Sequence, residues 1–434
     1  MEPIENTKEA SGSSGPSITG ASPIAIQPMA DLRRNLVVIS IGIFVTSLAQ
    51  PDVLGLLPLR FLLKNHLGLT PQAMAGFFAI GGFPWYLKPL AGLLSDSIPL
   101  FGTRRRYYLL LSSLIAGLLW GVMAFVPKTY YSLLAVVVLL NVMLMMASSV
   151  VGGLLVEESQ KNAATGRLST IRILVTAVSI VVAGAFGGFL ATQSFLLTST
   201  FSMTLLVLLA GVAFILLHEP KVQSSAGALK NASDEIGRIF RFRPFWLVAG
   251  VLFLVMISPG FATPLFYYQT NVLKFSSQFL GTLRVAMGLF GLIGGITYYY
   301  LCKRIPVRFF LVPTILAHVI VTLFFLAYRT QSTALAIECL NGLTLSLAVL
   351  PLFDIATRAT PSGSAALGYA VLVSVFNIAL ALSDVLGSWL FGHYHLDFVH
   401  LVWLNAATTA LVLPAIRFLP LSLTNHTDSQ ARLF

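Results

Sequence analysis

Five ionisable residues lie deep inside long apolar stretches of the sequence: Asp52, Lys88, Arg284, Glu338 and Asp384. A charge at the centre of a membrane costs about 2.5–3.5 kcal/mol on insertion scales. Each residue is therefore a candidate either for a substrate-binding site or for an ion pair between helices. Once the two cations are paired, one of the three acids is left over, and a lone buried acid tends to be protonated. This set can bind a carboxylate-bearing substrate and move a proton.

A second group of residues has the spacing of a conformational latch. A glycine and an aspartate lie one helical turn apart at the end of an apolar stretch, and three arginines follow after a short turn. A carboxylate at a helix end can pair with an arginine or a helix N-terminus, and a glycine one turn earlier lets helices approach closely. The alternative is an ordinary solvated basic loop. The latch residues are Gly92, Asp96, Arg104, Arg105 and Arg106.

Aromatic residues follow a Pro-Gly pair at residues 259–260, inside a later apolar stretch. This pair predicts a kink or an unwound turn, which a membrane helix tolerates where it lines a cavity. Phe261 and Tyr267 can stack on a flat bicyclic ring while Gln269 or Asn271 forms a hydrogen bond to its edge. A belt of interfacial aromatic residues is an equally weighted alternative. Arg60 and Asp354 lie near the ends of apolar stretches and are expected to reach an interface.

The composition shows what kind of protein positions these residues. The 434 residues are 56% hydrophobic and 10% charged, with a mean hydropathy of +0.85. These values exclude a soluble globular enzyme, a disordered chain and a disulfide scaffold. The net charge of +11 is better explained by basic cytoplasmic loops than by nucleic acid. No phosphate-binding loop, metal cluster or nucleophile elbow occurs, so neither a cofactor nor enzymatic activity is expected.

The chain has twelve apolar stretches, the first of which begins at Leu36, and each is long enough to cross a hydrocarbon core of about 30 Å as a helix. The longest polar interruption separates six stretches from the other six, a pattern typical of the major facilitator fold. We therefore predict an all-α membrane protein of twelve transmembrane helices in two six-helix bundles. The predicted regions are a disordered tail (1–30), a first bundle (31–217), a cytoplasmic loop (218–243), a second bundle (244–419) and a C-terminal tail (420–434).

The distribution of lysine and arginine predicts the orientation. If the N-terminus is cytoplasmic, twenty of the 27 basic residues lie on that side, four lie on the other and three lie within spans. This asymmetry places both termini in the cytoplasm. The plasma membrane or an inner membrane is the expected location, and a monomer is the expected state.

One stretch of sequence resembles the signature loop of the folate–biopterin transporter family, a branch of the major facilitator superfamily. Residues 84–108, PWYLKPLAGLLSDSIPLFGTRRRYY, carry the resemblance, and it continues at 62–72, 258–281 and 350–377. It implies a secondary transporter that moves a folate or pterin by alternating access. In that fold the third, sixth, ninth and twelfth helices face lipid. The third and sixth stretches here contain no charged residue, the twelfth carries charge only at its two ends, and all five deep charges fall elsewhere.

The sequence also departs from the family pattern at three positions. Ser148, Gly152 and Ala365 stand where the family usually carries acids. This leaves two alternatives to folate transport: a transporter of another organic solute, and a non-transporting scaffold or receptor on the same fold. If the substrate is a folate, Arg284 and Lys88 are expected to receive its carboxylates. If Arg284 is instead structural, Asp384 and Glu338 are its expected partners.

Overall fold

The computed structural model describes residues 29–161, 165–219, 228–360, 365–394, 396–419 and 424–425. Within these ranges the chain is almost entirely helical, with seventeen α-helices. Eight helices are long and apolar enough to cross a membrane, and three shorter apolar helices accompany them. Each of the twelve predicted stretches contains helix in the described part of the chain, which is consistent with twelve spans.

The first bundle contains nine α-helices, because its first two spans are interrupted. The first span breaks at residues 49–55, where Pro51 lacks the N–H that would continue the helix. The second span bends at Gly82 and Leu87, each followed closely by a proline. The helices are α1 (Met29–Leu48), α2 (Leu56–Phe61), α3 (Pro71–Gly81), α4 (Phe83–Tyr86), α5 (Lys88–Ser97), α6 (Arg106–Phe125), α7 (Tyr130–Lys161), α8 (Thr165–Leu190) and α9 (Phe195–Leu216).

The second bundle follows α10, the helix of the central polar loop. Its first span is interrupted between Ile257 and Phe261, which confirms the break predicted from the Pro-Gly pair. The remaining spans are continuous. The helices are α10 (Ala228–Arg241), α11 (Arg243–Met256), α12 (Ala262–Tyr267), α13 (Ser277–Leu301), α14 (Val307–Phe324), α15 (Gln331–Arg358), α16 (Ala365–His393) and α17 (Phe398–Val412).

The two bundles meet along α8 with α13 and along α3 with α16. Glycines allow the first of these contacts. A Cβ added to Gly281 of α13 would lie 2.5 Å from the carbonyl oxygen of Gly184 and 2.9 Å from Cα of Gly188, both on α8. Gly184 and Gly188 therefore serve the close packing of the two bundles. Three of the deep charges, Asp52, Arg284 and Asp384, have charged neighbours on the opposite bundle.

Candidate functional site

A cluster of four charges occupies the space between the bundles. Asp52 lies in the break after α1 and Arg60 on α2, while Arg284 lies on α13 and Asp384 on α16. The charge of Asp52 acts on Arg284, and that of Asp384 acts on Arg60, so each interacting pair joins one bundle to the other. Asp52 is solvent-exposed and the other three are half-buried. Water can therefore reach the carboxylate of Asp52.

The partner of Arg284 differs from both partners expected from depth along the helices. Its Nη1 atom faces the carbonyl oxygen of Val53 at 3.5 Å, in the same break that holds Asp52. Glu338 and Asp384 bond to other groups. The break after α1 places Asp52 near Arg284. The depth of a residue along a straight helix does not predict its position when the helix is broken.

Arg60 is a member of this cluster that the sequence analysis placed at an interface. Its guanidinium lies over the rings of Phe78 and Phe266, with 5.7 and 5.4 Å from Cζ to the two ring centroids. Both distances are within the range of cation–π attraction. The expectation for Arg60 was wrong because the break before α2 turns this helix toward the second bundle.

Asp384 holds the interrupted helix of the second bundle in place. Its carboxylate accepts hydrogen bonds from the backbone N–H and the hydroxyl of Thr263, at 2.8 and 2.6 Å. Thr263 lies in the first turn of α12, where backbone N–H groups lack partners within the helix and favour a negative charge. The backbone N–H of Gly260 donates to the carbonyl of Ser383 at 2.8 Å. α16 therefore satisfies the backbone groups that the Pro-Gly break leaves free.

Gln269 and Glu338 lie together in a buried network away from the four charges. The Gln269 amide donates to the hydroxyl of Tyr328 at 2.7 Å, and this hydroxyl donates to Glu338 at 3.3 Å. Gln269 and Glu338 are each 7% exposed and Tyr328 is 1% exposed. Tyr328 was not predicted from the sequence, because it lies at the end of an apolar stretch and resembles an interfacial tyrosine.

The two aromatic candidates also contact protein groups. Phe261 packs edge-on against Phe325 and Phe398, with ring centroids 5.1 and 5.5 Å apart. The hydroxyl of Tyr267 donates to the carbonyl of Leu69, which joins the two bundles at the predicted outer end. Tyr267 is buried, whereas Phe261 keeps a half-buried face.

Lys88 lies at a second place, on the first turn of α5. Its Nζ atom donates to Ser148 Oγ at 3.2 Å and lies 5.2 Å from the ring centroid of Trp85. Arg172 of α8 is its charged neighbour. A Cβ on Gly152 would lie 3.9 Å from Nη1 of Arg172. The two positions on α7 that depart from the family pattern thus lie beside two cations. Ala365, the third such position, begins α16, and its side chain is outside the described set.

The latch arginines are held within the first bundle. Arg105 is 6% exposed and donates to Glu157 of α7 at 2.8 and 3.0 Å, and to Ser95 of α5 at 3.0 Å. Glu219 accepts hydrogen bonds from the backbone N–H groups of Arg104, Arg105 and Arg106 at 3.0, 2.8 and 3.1 Å. A carboxylate thereby caps the start of α6.

Gly92 does not make the close helix contact expected of it in this structure. A Cβ added there would have no neighbour within 4 Å. The side chain of Asp96 lies outside the described residues, so the proposed pairing of Asp96 with the arginines stays a prediction. Glu157 is the acid that the latch hypothesis missed.

A sequence model of the BT1 family matches residues 52–433. The chain is 30% identical to the folate-biopterin transporter of Synechocystis over 393 residues, covering 85% of this chain and 79% of that protein. It is 26% identical to folate transporter 2 of Plasmodium falciparum, covering 75% and 74%.

Comparison with solved structures gives the fold. A D-xylose–proton symporter superposes with a TM-score of 0.70 at 14% identity, over 90% of this chain and 98% of that one. The human organic anion transporter MFSD10 superposes with a TM-score of 0.65 at 17% identity, over 91% and 100%. The predicted major facilitator fold is confirmed.

Proposed function

Because this chain belongs to the BT1 family and its relatives include proteins named folate and folate-biopterin transporters, we propose that it carries a folate or pterin across a membrane by alternating access. The observation that carries the proposal is the cluster of Asp52, Arg60, Arg284 and Asp384 between the bundles. A scaffold has no use for four charges in this position, whereas a transporter of a charged solute needs them where the bundles rock against each other.

Arg284 is the residue that receives the carboxylate of the substrate. Its guanidinium presents several donors that match a carboxylate, and its hydrogen bond to Val53 is long at 3.5 Å. Asp52 neutralises this cation when no substrate is bound. The half-buried face of Phe261 offers a surface on which a flat ring can stack.

Proton coupling follows from the same arrangement. A proton taken up by Asp52 removes the charge that competes for Arg284, so the carboxylate of the substrate binds in its place. Return of Asp52 to the charged form favours release. The exposed position of Asp52 gives protons access to it from the space between the bundles.

Transport of labelled folate and biopterin into proteoliposomes tests this function. Arg284→Gln is expected to abolish folate uptake and to keep more of the binding of neutral biopterin. Arg329→Gln is the matched control, because Arg329 lies in an exposed loop. If Arg284→Gln transports folate like the parent protein, Arg284 does not bind the substrate. If neither compound enters with the parent protein, the substrate belongs to another class of organic solute.

The latch and the orientation complete the proposal. Asp96→Asn should slow transport and leave ligand binding intact, and normal transport would reduce the loop to a topological signal. Both termini and the central loop face the cytoplasm of a plasma or inner membrane. In a variant without native cysteines, Asp234→Cys in α10 should resist a membrane-impermeant thiol reagent in intact cells, while Thr129→Cys in the opposite loop reacts. Rapid labelling of Asp234→Cys would reverse the orientation.

A further inference from the structure

Two cations, Lys88 of α5 and Arg172 of α8, lie side by side against one face of α7, apart from the four-charge cluster. Lys88 contacts Ser148, and Arg172 approaches Gly152. Ser148 and Gly152 are four residues apart on a helix, so their side-chain positions are neighbours about 5–6 Å apart. The ammonium of Lys88 and the guanidinium of Arg172 therefore stand over successive turns of α7, and their charges act on each other.

The described side chains supply no carboxylate to either cation. α7 ends in two acids, but Glu157 receives Arg105 and Glu158 accepts from Asn35 at 3.1 Å. Lys88 is left with a neutral hydroxyl at 3.2 Å and the face of Trp85. Two like charges this close repel each other, and the apolar surroundings of the spans leave that repulsion weakly screened.

The surroundings of these cations suit an organic anion. Lys88 and Arg172 are both half-buried, so part of each side chain remains open to a small ligand. The absence of a Cβ at Gly152 leaves room in front of the guanidinium, with Nη1 as the nearest atom at 3.9 Å. An arginine fork binds one carboxylate through two hydrogen bonds, and a lysine adds a point charge one turn away.

We propose that Lys88 and Arg172 form a second anion-binding site that takes a carboxylate of an organic substrate. Its identification with the glutamate end of a folate rests on the proposed function, whereas the binding of a carboxylate does not. The site lies toward the predicted cytoplasmic end, since Lys88 begins the last helix of the second span and Arg172 lies in the first third of α8. It is separate from Arg284, which lies in the first third of α13, at the predicted outer end.

Binding of p-aminobenzoylglutamate to the purified full-length protein tests the site. This probe carries the two carboxylates of folate and lacks the pterin ring. We expect Lys88→Gln and Arg172→Gln each to weaken its binding at least about tenfold, since a charged hydrogen bond is lost. Biopterin, which has no carboxylate, should bind both variants like the parent protein.

A gain of charge provides the complementary test. Ser148→Asp and Gly152→Asp place a carboxylate beside Lys88 and Arg172, so both variants should melt at a higher temperature than the parent protein and lose the probe. Ser148→Asn and Gly152→Asn match these changes in size without the charge and should retain the probe. These variants do not depend on removing a buried group, which protects the test from misfolding.

The outcomes separate this inference from the proposed function. The site exists, even if folate and biopterin fail to bind, if the parent protein binds the probe and the variants with altered charge do not. These variants are Lys88→Gln, Arg172→Gln, Ser148→Asp and Gly152→Asp. If the parent protein transports folate but shows no binding of the probe at millimolar concentration, the site is refuted. Equal affinities for the probe in the parent protein and in the Lys88 and Arg172 variants also refute it.

Discussion

Replacing Gly153 by alanine is predicted to disrupt the buried arginine at the start of α6. A Cβ at this position would lie 2.5 Å from Cζ of Arg105 and 2.6 and 2.7 Å from its Nη atoms. Real Cβ atoms do not approach other atoms this closely, so the guanidinium must move. It cannot move without stretching its hydrogen bonds to Glu157 and Ser95, which are 2.8–3.0 Å long.

The expected magnitude follows from two opposing effects. Alanine in place of glycine inside a helix stabilises by about 1 kcal/mol. Loss of a hydrogen bond between charged groups costs about 1.5–3 kcal/mol, and the lower part of this range applies because the Glu157 side chain is 40% exposed. The net prediction for Gly153→Ala is a loss of about 0.5–1.5 kcal/mol in the free energy of unfolding.

The neighbouring glycine is a matched control. Gly152→Ala brings the same gain in helix propensity, and its Cβ would meet its nearest atom at 3.9 Å, an ordinary contact. Chemical denaturation of both variants in the same detergent should therefore separate them by about 1.5–2.5 kcal/mol, because the propensity term cancels in the difference. In a Glu157→Gln background, the difference in the free energy of unfolding between Gly153→Ala and Gly152→Ala should shrink. Equal stability of the two alanine variants would refute the contact between Gly153 and Arg105.

Two further predictions concern packing and buried polarity. Gly281→Ala should slow transport, because the added Cβ would lie 2.5 Å from a carbonyl oxygen of α8 and would force the bundles apart. Gly211→Ala is the control, because its Cβ would have no atom within 4 Å. Uptake in proteoliposomes measures both variants. Tyr328→Phe should lower the free energy of unfolding by about 1–3 kcal/mol, because Gln269 and Glu338 lose their shared hydroxyl. Tyr300→Phe, at a 63% exposed position, should have no effect. An unchanged free energy of unfolding in Tyr328→Phe would refute the network.

The architecture was predictable because it depends on local composition. Backbone groups in lipid must bond within their own segment, so long apolar stretches with few charges predict spanning helices without any knowledge of packing. The breaks were predictable for the same local reason. Pro51 and the Pro-Gly pair at residues 259–260 remove N–H donors or favour turns wherever they occur, and both coincide with interruptions of helix.

The partners of the deep charges were not predictable, because they depend on rotation and displacement between segments. Glu338 and Asp384 match Arg284 in predicted depth, yet they bond to Tyr328 and Thr263. Thr263 becomes a partner only because the break before α12 exposes unbonded backbone N–H groups. Arg105 shows the same limit, since its partner Glu157 lies 52 residues away at the far end of another helix.

The two proposed cationic sites differ in the group that a bound carboxylate would have to displace. At Arg284 it would compete with Asp52, whereas at Lys88 and Arg172 it would displace only the hydroxyl of Ser148 among the described groups. Asp52→Asn removes the competitor at the first site alone. It is therefore expected to raise the affinity for folate and to make folate binding less dependent on pH, since the titrating carboxylate has been removed.

Calorimetric titration of folate and p-aminobenzoylglutamate into the Asp52→Asn variant at several pH values measures this effect, and Asp234→Asn at an exposed position of α10 is the matched control. Binding of p-aminobenzoylglutamate to the Lys88 and Arg172 site should remain when Arg284→Gln is added. If Asp52→Asn weakens folate binding instead, Asp52 supports the binding of the substrate and does not compete with it. Proton uptake by Asp52 would then oppose binding, and the coupling scheme built on the Asp52 and Arg284 pair would be wrong.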